Sequence, residues 1–382
     1  MSGRRFTRIL HLVTGLRVGG AETMLRNLVT RMDRTRFENR VVTMTSGGEL
    51  AAEIVSAGIP VESLDMRPSV PDPRAVFRLA RLLRVRQPDL VQSWLYHADL
   101  LGALVAGPAR RTLLWNVRCA NTSTPDRTVI SPLLLRFLAR MSRVPAAVIV
   151  NSAAGRVEHE RLGYRPRRWE VIPNGFDIHR FAPNRAARAA LRARLGVSDD
   201  ALLFGLIARF DPLKDHGTFL DAAGIAARQH DIHFVLAGKG VNESNELIRA
   251  RSQANHLNGR IHFLGQVRDV ERVIGALDVA CSTSVGEGFP NVVGEAMACG
   301  IPVIATDVGD TAWLVGANTG MIVPPSDPKR FADAMMAMAA SPDARREAGR
   351  LARERIVGSF SLGAMVQHYE GFYESVAAQR VN

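Results

Sequence analysis

The sequence predicts an α/β protein built from two doubly wound domains, and three observations lead to this prediction. Segments typical of strands and of helices alternate along nearly all of the 382 residues, which is the pattern of parallel sheets with crossover helices. A turn-rich passage interrupts the alternation near the middle of the chain. The length exceeds that of a usual single domain, and a hydrophobic content of 47% is enough for two cores.

In the first half, strands and helices follow one another in regular turn. The predicted strands are RILHLVT, NRVVTMT, PVESLD, DLVQSWL, TLLWNVR and AAVIVNS. The predicted helices are AETMLRNLVTRM, residues 49–57, PRAVFRLARLLRVR, ADLLGALVAG and one more helix before AAVIVNS. These segments predict a first doubly wound domain over residues 1–172.

The passage VIPNGFDIHRFAPNRAA contains two prolines and an Asn-Gly step, and we predict an interdomain linker there. The alternation restarts with ALLFGLIARF and continues through IHFVLAGKG, IHFLGQV, LDVACSTS, PVIATD and TGMIVPP, which predicts a second domain over 173–360. The last segment has a helical period, and 361–382 is expected to pack back on the first domain. Ligands of open α/β sheets bind at the carboxyl ends of strands, so we expect the two domains to face each other across a cleft.

Cysteine usage and hydropathy restrict the compartment. Cys119, Cys281 and Cys299 lie far apart without C-x-x-C spacing, which argues against a disulfide framework and against a zinc cluster. The N-terminal apolar run is short and leads into a Gly-rich loop, as a first strand does and a signal peptide does not. Since no run of about 18 apolar residues occurs, we expect a cytoplasmic protein.

The positive charge is concentrated in the first half of the chain. Residues 1–170 hold 27 arginines, no lysine and 14 acidic residues, whereas the rest holds 22 basic and 23 acidic residues. Such a surface attracts nucleic acid, anionic lipid or a pyrophosphate-linked substrate, although an arginine-rich, high-GC coding bias explains it equally well. The segment 131–145 has one apolar helical face, and its arginines lie off that face. It is either a contact with the inner face of an anionic membrane or a buried helix with a solvated basic side.

Two cations follow the first strand of the second domain. In GLIARFDPLKDHG the strand leads to Arg209 and then, after a proline turn, to Lys214. At the carboxyl end of a parallel strand these side chains could clamp a diphosphate, because arginine grips two oxygens and lysine acts as a point charge. Taken alone, the segment could equally be a solvated loop.

The stretch GEGFPNVVGEAMACGIPVIATD places two carboxylates beside a helix start. Glu287 lies in the loop, a helix is predicted to begin around Pro290 and Asn291, and Glu295 lies about one turn into it. Gly300 marks the end of that helix. The free amides of a helix start bind phosphate, and carboxylates accept hydrogen bonds from vicinal hydroxyls. A nucleotide sugar carries both groups; the alternative is that the two glutamates are surface acids.

These residues carry a family resemblance. EGFPNVVGE resembles the E-x7-E motif of retaining GT-B glycosyltransferases, in particular glycosyltransferase family 4. The similarity covers almost the entire chain, with GLRVGGAE, VIVNSAA, VIPNGFD, ARFDPLK, VLAGKG and HFLGQVRDV in the expected order. It implies transfer of a hexose or N-acetylhexosamine, with retention, from a nucleoside diphosphate sugar to a glycan or lipid-linked acceptor in surface polysaccharide biosynthesis. We expect a UDP-linked donor, no further cofactor and no metal ion, since no D-x-D follows a strand.

The resemblance also implies a role for each matching position. Glu287 would hold hydroxyls of the donor sugar and Glu295 those of the ribose, while Arg209 and Lys214 would stabilise the departing diphosphate. The backbone groups that would touch the phosphates and sugar are those of Phe289, Pro290, Asn291 and Val292. The nucleobase would be framed by Val267 and Arg268. The donor phosphate or the acceptor would be approached by Gly19 and Gly20 of the first loop.

The sequence departs from the family pattern at one place. Many relatives have a histidine after the strand that corresponds to TLLWNVR, where this chain has Asn116, Arg118 and Asn121. Arg118 either takes over as a cation beside a phosphate or caps the strand. His97, after the preceding strand, either faces the site as a catalytic residue or caps its helix.

Single features of the sequence also fit three other classes of protein. The first loop has the form G-x-x-x-G-G, and no acid ends the second strand, so a nicotinamide dinucleotide is disfavoured. A non-hydrolysing sugar-nucleotide epimerase shares the fold and needs no acceptor, but E-x7-E argues against it. Nucleic-acid binding is suggested by charge alone, and with 6% aromatic residues and no stacking platform we expect no specific nucleic-acid partner.

Overall fold

The computed structural model describes residues 6–67, 70, 72–118 and 131–379. The chain divides into two compact units, the first formed by Met1–Gly175 with Leu362–Asn382 and the second by Phe176–Ser361. The sequence places the corresponding limits at 172/173 and 360/361, within a few residues of these positions. Cys119 and Asn121 lie outside the described residues.

In its described part, the first unit contains one parallel sheet. The strands are β1 (Thr7–Val13), β2 (Phe37–Thr43), β3 (Val61–Ser63), β4 (Leu90–Trp94), β5 (Thr112–Val117), β6 (Ala147–Val150) and β7 (Trp169–Val171). They are ordered β3-β2-β1-β4-β5-β6-β7. The helices between them are α1 (Gly20–Arg31), α2 (Glu49–Ser56), α3 (Arg74–Arg86), α4 (Tyr96–Ala106), α5 (Pro132–Met141) and α6 (Ala153–Arg161).

Helices cover this sheet on both faces, which is why a strand such as β6 is apolar and buried along its whole length. The side chains of α1 and α2 pack on one face against Ile9 and Val13 of β1. Those of α3, α4 and α5 pack on the other face against Leu10 and Leu12 of the same strand. Alternate residues of β1 therefore enter two separate hydrophobic cores.

Strand β7 was not predicted. Val171 was assigned to the linker, but it pairs with Val150 of β6 and closes one edge of the sheet. Three residues are too few to show a period of two, and the strand forms because β6 offers a free edge. That information is not local in the sequence.

The second unit repeats the arrangement. Its strands are β8 (Leu202–Ile207), β9 (Ile232–Ala237), β10 (Ile261–Gly265), β11 (Val279–Ser282), β12 (Val303–Thr306) and β13 (Gly320–Val323), ordered β10-β9-β8-β11-β12-β13. The helices are α7 (Arg185–Leu195), α8 (His216–Ala226), α9 (Glu246–Ala254), α10 (Val270–Ile274), α11 (Asn291–Ala298), α12 (Thr311–Val315), α13 (Pro328–Ala340) and α14 (Pro342–Ser359), with a 3-10 turn at Pro212–Lys214. All six predicted strand segments of this unit are confirmed.

Helix α7 begins inside the passage that the sequence assigned to the linker. Asn184 caps it by accepting a hydrogen bond from the Ala187 amide at 2.9 Å, and Gly196 ends it in the left-handed conformation. The Asn184 cap and the Ala-rich run after it indicate a helix start. The prolines and the Asn-Gly step before Asn184 favour a linker instead, and the predicted linker therefore extended too far.

The last helix, α15 (Leu362–Ala378), belongs to the first unit. Its apolar residues enter the same core as β1 and α1. Two tyrosines of α15 bind side chains of the sheet. The Tyr373 hydroxyl donates to the Gln92 side-chain oxygen at 2.6 Å, and the Tyr369 hydroxyl accepts from the side-chain amide of Asn116 at 2.8 Å. Buried hydrogen bonds of this kind hold the helix on the sheet and also fix its position along the sheet.

Each sheet has one topological switch point. In the first unit it lies between β1 and β4, and in the second between β8 and β11, since the chain winds outward in both directions from these neighbours. Ligands of open α/β sheets bind beside such a point, at the carboxyl ends of the strands.

Candidate active site

The loops after β8 and β11 are joined at the switch point of the second unit. The Val285 amide donates to the Leu213 carbonyl at 2.9 Å, and the Thr283 hydroxyl donates to the Lys214 carbonyl at 2.9 Å. These bonds hold the 3-10 turn that carries Lys214 against the loop that carries Glu287.

Lys214 and Glu287 form an ion pair between the Nζ atom and Oε1. The Ser284 hydroxyl donates to the same oxygen at 2.8 Å. The side chains of Lys214 and Glu287 are 23% and 15% exposed, so both are partly desolvated yet accessible. We call Lys214, Ser284 and Glu287 the switch-point cluster. Sequence reasoning selected the two charged residues but not Ser284, whose only signal is its place after a strand end.

The loop after β12 supports the switch-point cluster. Gly309 has a φ of +57°, and a Cβ there would lie 2.2 Å from the Glu287 carbonyl oxygen, so only glycine fits. The Asp310 amide donates to the Gly288 carbonyl at 3.1 Å. The Thr306 hydroxyl donates to the Ser284 carbonyl at 2.5 Å. The position of Glu287 therefore depends on residues that follow it by about twenty positions.

Arg209 lies at the same edge but is held differently. Its guanidinium is 55% exposed and donates from Nε to Asp211 at 2.8 Å. Burial alone would raise the pKa of Asp211, but the Leu213 amide, Arg209 and Lys214 together hold it below the ordinary value. Asp211 is thus a carboxylate that orients Arg209 and competes with any anion for it.

Helix α11 begins at Asn291, as predicted, with Pro290 as its N-cap. Because Pro290 has no amide hydrogen, it offers no backbone donor at this helix start. Gly300 ends the helix in the left-handed conformation, and the Ile301 amide donates to the Ala296 carbonyl at 3.0 Å. The predicted bounds of this helix are confirmed.

The side chain of Phe289 anchors the loop before α11. It is 6% exposed, and its ring packs on Phe176 at 6.1 Å and on Trp313 at 6.2 Å between centroids. The backbone of the loop, including Val292 in the first turn of α11, is therefore set by a buried aromatic contact.

Glu295 lies in a strongly desolvated environment on α11. Burial raises the pKa of its carboxyl from 4.5 to about 7, with Arg180 opposing the rise and Glu271 adding to it. Arg180 is itself bound to Glu271 at 2.9 Å. Among the described residues none donates a hydrogen bond to the Glu295 carboxyl, so its acceptor atoms are available to a ligand.

This environment predicts how stability changes with pH. Glu295 binds its proton more tightly in the folded chain, so its stabilising contribution is complete below pH 4.5 and is lost as the pH rises through about 7. Relative to Glu295→Gln, the wild type should lose up to about 3 kcal/mol of unfolding free energy over that range. Urea unfolding at a series of pH values measures it. Glu243→Gln, at an exposed position, is the control, and parallel curves for wild type and Glu295→Gln would contradict the prediction.

Val267 and Arg268 lie in the turn between β10 and α10. Val267 packs against the core of the second unit, and the Arg268 side chain is exposed. No hydrogen bond or salt bridge between described residues connects either of them to the switch-point cluster, so their predicted contact with a nucleobase stays a prediction.

The first unit presents its own candidates at its switch point. Gly19 precedes α1 and Gly20 is the first residue of that helix. A Cβ on Gly19 would lie 2.4 Å from a carboxylate oxygen of Glu22. Burial raises the pKa of Glu22, against a hydrogen bond from its own amide and the charge of Arg118. Sequence reasoning did not select Glu22, although it lies only two residues after Gly20.

His97 is the second residue of α4, and its side chain is exposed. The residue before the helix, Leu95, has a φ of +69°, a strained value for a branched side chain. The Asp99 amide donates to the Leu95 carbonyl at 2.9 Å. Because no side chain caps this helix, His97 is not its cap, and the tight turn sets it at the carboxyl edge of the sheet.

Arg118 follows β5 and is held by a polar network. Its guanidinium donates to Asn174, to Tyr369 at 3.3 Å and to Asn116 at 3.4 Å, and it lies 5.5 Å above the Trp94 ring. Asn174 comes from the VIPNGFD segment, and Tyr369 from α15. This side chain is therefore a positioned cation.

Two features are absent from the described parts of the chain. No group of three or more histidine, cysteine, aspartate or glutamate side chains there is placed to hold a metal ion. Nor does any described helix have the length and hydropathy needed to cross a membrane.

Comparison with known proteins agrees with the fold. The family model Glycosyltransferase Family 4 matches residues 18–180, and the model Glycosyl transferases group 1 matches 201–341. D-inositol 3-phosphate glycosyltransferase of Kribbella flavida is 29% identical over 80% of this chain and 73% of that protein. The GDP-mannose-dependent monoacylated alpha-(1-6)-phosphatidylinositol monomannoside mannosyltransferase of Corynebacterium glutamicum is 25% identical over 98% and 99%.

A solved structure extends the comparison to the whole fold. The crystal structure of Anabaena Alr3699/HepE in complex with UDP matches with a TM-score of 0.83 at 24% identity, over 96% of this chain and 100% of that chain. The two doubly wound units have the architecture of the GT-B fold, and the two glycosyltransferase models together match most of the chain. This chain belongs to glycosyltransferase family 4.

Proposed function

We propose that this glycosyltransferase moves a hexose or N-acetylhexosamine from a UDP sugar to a hydroxyl of a glycan or lipid-linked acceptor, with retention at the anomeric carbon and without a metal ion. The observation that carries the proposal is the switch-point cluster, in which a cation and a carboxylate that are distant in sequence meet beside the start of α11. Production of a surface polysaccharide or glycolipid is the setting that such an acceptor implies.

The switch-point cluster suits both groups that the reacting bond joins, the diphosphate and the sugar. A donor diphosphate exchanges for Glu287 as the partner of Lys214, and sugar hydroxyls then donate to the freed Glu287 carboxylate. Arg209 supplies a second permanent cation, and the first amides of α11 supply neutral donors. Negative charge grows on the departing diphosphate in the transition state, so these groups act where electrostatic stabilisation is most effective.

Glu295 suits the ribose. Its desolvated carboxyl has free acceptor atoms, and two vicinal hydroxyls satisfy a carboxylate by donating to both oxygens. Such donation favours the charged form and lowers the pKa of Glu295 from about 7. Donor binding near neutral pH therefore releases a proton and tightens as the pH rises.

The stereochemical proposal follows from what surrounds Glu287. When the diphosphate takes its place at Lys214, the carboxylate still accepts the hydrogen bond from Ser284, which suits it to binding hydroxyls rather than to attack on carbon. We propose that the acceptor oxygen bonds to the anomeric carbon on the face from which the diphosphate leaves. The bond from that carbon to the phosphate oxygen breaks, and the departing oxygen takes the acceptor proton.

Metal independence is supported by the two permanent cations. Lys214 and Arg209 carry the positive charge that a diphosphate needs. In the first unit, His97 and Arg118 are proposed to position the acceptor hydroxyl and an acceptor phosphate, since one is exposed at the switch point and the other is held there by three side chains.

Uridine is proposed on the strength of the UDP complex of HepE. The name of the Corynebacterium glutamicum relative specifies GDP-mannose, so guanosine is the alternative to be separated. The test is a thermal-shift panel of UDP, GDP and ADP and their sugars, with and without EDTA, because a ligand that binds the folded state raises Tm.

We expect one UDP sugar to stabilise the protein selectively, regardless of EDTA. Glu295→Ala should abolish that shift, while Glu243→Ala, at an exposed position, should preserve it. A GDP sugar as the selective ligand would correct the base, and a shift that EDTA removes would overturn metal independence. No shift with any nucleotide would overturn the donor site.

A further inference from the structure

We propose that the outer surface of α3, α4 and α5 docks on a membrane rich in anionic phospholipid. We call this surface the three-helix face. The proposal concerns the surface at which the enzyme works. It rests on the proposed function only for the lipid-linked acceptor, since its own evidence comes from residues that do not belong to the switch-point cluster.

The three helices form one layer over one side of the first sheet. Their inner residues, such as Leu79 of α3, Ala103 of α4 and Leu138 of α5, are buried in the same hydrophobic core. The side chains on the opposite side of the layer therefore point away from the sheet and share one outer surface.

That outer surface exposes large apolar side chains from all three helices. Phe77 is 75% exposed, Leu133 is 73% exposed, and Phe137 and Leu104 are 47% and 46% exposed. The apolar face that the sequence predicted for 131–145 is thus divided, because Leu138 is buried while Leu133 and Phe137 are not. Burial in the core therefore does not explain why the side chains of Leu133 and Phe137 are apolar.

The charge on the three-helix face has one sign. Five exposed arginines make no salt bridge with any residue that the structure describes; they are Arg74, Arg81, Arg84, Arg136 and Arg140. Helices α3 and α5 contain no acidic residue, and the single acid of α4, Asp99, is fully buried. No exposed carboxylate on these helices therefore neutralises the face.

Alternating arginine and exposed apolar residues suit an anionic lipid surface better than the other anionic partners. The headgroups attract the guanidinium groups, and the acyl boundary takes up Leu133, Phe137 and Phe77. Nucleic acid would use the charge but leave these side chains in water. Each arginine near an anionic surface contributes an attraction that salt weakens within a Debye length.

The experiment is flotation of the full chain with vesicles of phosphatidylcholine, alone or with added phosphatidylglycerol, at low and at high salt. We expect binding only to the anionic vesicles, reduced by salt. Leu133→Ser with Phe137→Ser, and separately Arg136→Gln with Arg140→Gln, should each lower the partition coefficient about tenfold or more.

A matched control lies on α9 of the second unit. Leu247 is 72% exposed, as Leu133 is, and Arg249 is an exposed arginine on the same helix. Leu247→Ser with Arg249→Gln should therefore leave vesicle binding unchanged. Equal binding of wild type and face variants would overturn the proposal, as would equal binding to neutral and anionic vesicles.

Two further readouts separate this inference from the proposed function and from its nearest rival. The face variants should keep the Tm shift caused by the donor nucleotide, which shows an intact fold; vesicle binding without any donor shift would defeat the proposed function alone. If the face variants lose binding to duplex DNA and not to vesicles, the face belongs to nucleic acid and the membrane proposal fails.

Discussion

Lys214→Ala is expected to lower kcat about 100- to 1000-fold, the loss typical of removing one preorganised group that stabilises developing charge. In the proposed mechanism the ammonium meets the leaving diphosphate where its negative charge grows. Asp211 holds the Arg209 guanidinium at 2.8 Å, so we do not expect Arg209 to replace Lys214. The drop should fall mainly on kcat, because the interaction strengthens in the transition state.

The measurement is steady-state transfer with the donor that the thermal-shift panel selects. The chain has three lysines, and Lys329→Ala, on an exposed residue of α13, provides a matched control that should keep full turnover. Transfer by Lys214→Ala within about threefold of wild type would remove Lys214 from the site. Circular dichroism then distinguishes loss of catalysis from loss of fold.

Glu287→Ala is expected to reduce kcat/KM by a comparable factor of about 100 or more while UDP still binds. The carboxylate is assigned to the sugar and not to the nucleotide, so the Tm shift with UDP should persist and the additional shift with the UDP sugar should disappear. Glu287→Gln keeps the shape and one acceptor oxygen and should retain more activity. If Glu287→Ala loses both shifts equally, the carboxylate belongs to the phosphate end or to the fold.

The two residues should also behave as a unit. Lys214 and Glu287 are in direct contact, so the double variant should lose less than the product of the two single losses. Ser284→Ala is a smaller change at the same site, because it removes one 2.8 Å hydrogen bond to Glu287 and leaves the ion pair between Lys214 and Glu287. We expect it to cost about tenfold or less in kcat/KM.

Much of the fold could be read from local patterns. The sequence predicted strands β1 to β6 and β8 to β13, because most of them contain an apolar run between turn residues and such runs indicate burial. It predicted the bounds of α11 from Pro290 and Gly300, whose conformational limits are local. It did not predict β7, since three residues carry no period and the strand exists only because β6 offers an edge.

The candidate site divides in the same way. Arg209, Lys214, Glu287 and Glu295 were chosen from residue type and their place after strands, while the supporting residues Ser284 and Gly309 were not. Serine and glycine are common loop residues, so their types at positions 284 and 309 indicate no special role. Their importance follows from which loops come into contact in the folded chain. The catalytic and binding roles of all the selected residues stay predictions until the variants are measured.

By itself, the sequence determined the α/β class, the likeness to family 4 and the chemical groups available for a phosphorylated sugar. Only the tertiary structure decided that Lys214 and Glu287 form an ion pair, that Tyr369 of the last helix binds Arg118, and that Leu133 and Phe137 are exposed while Leu138 is buried. The physical reason is that periodicity and turn chemistry act within a few residues. Pairing and exposure depend on the order of strands in the sheet and on the neighbours that this order provides.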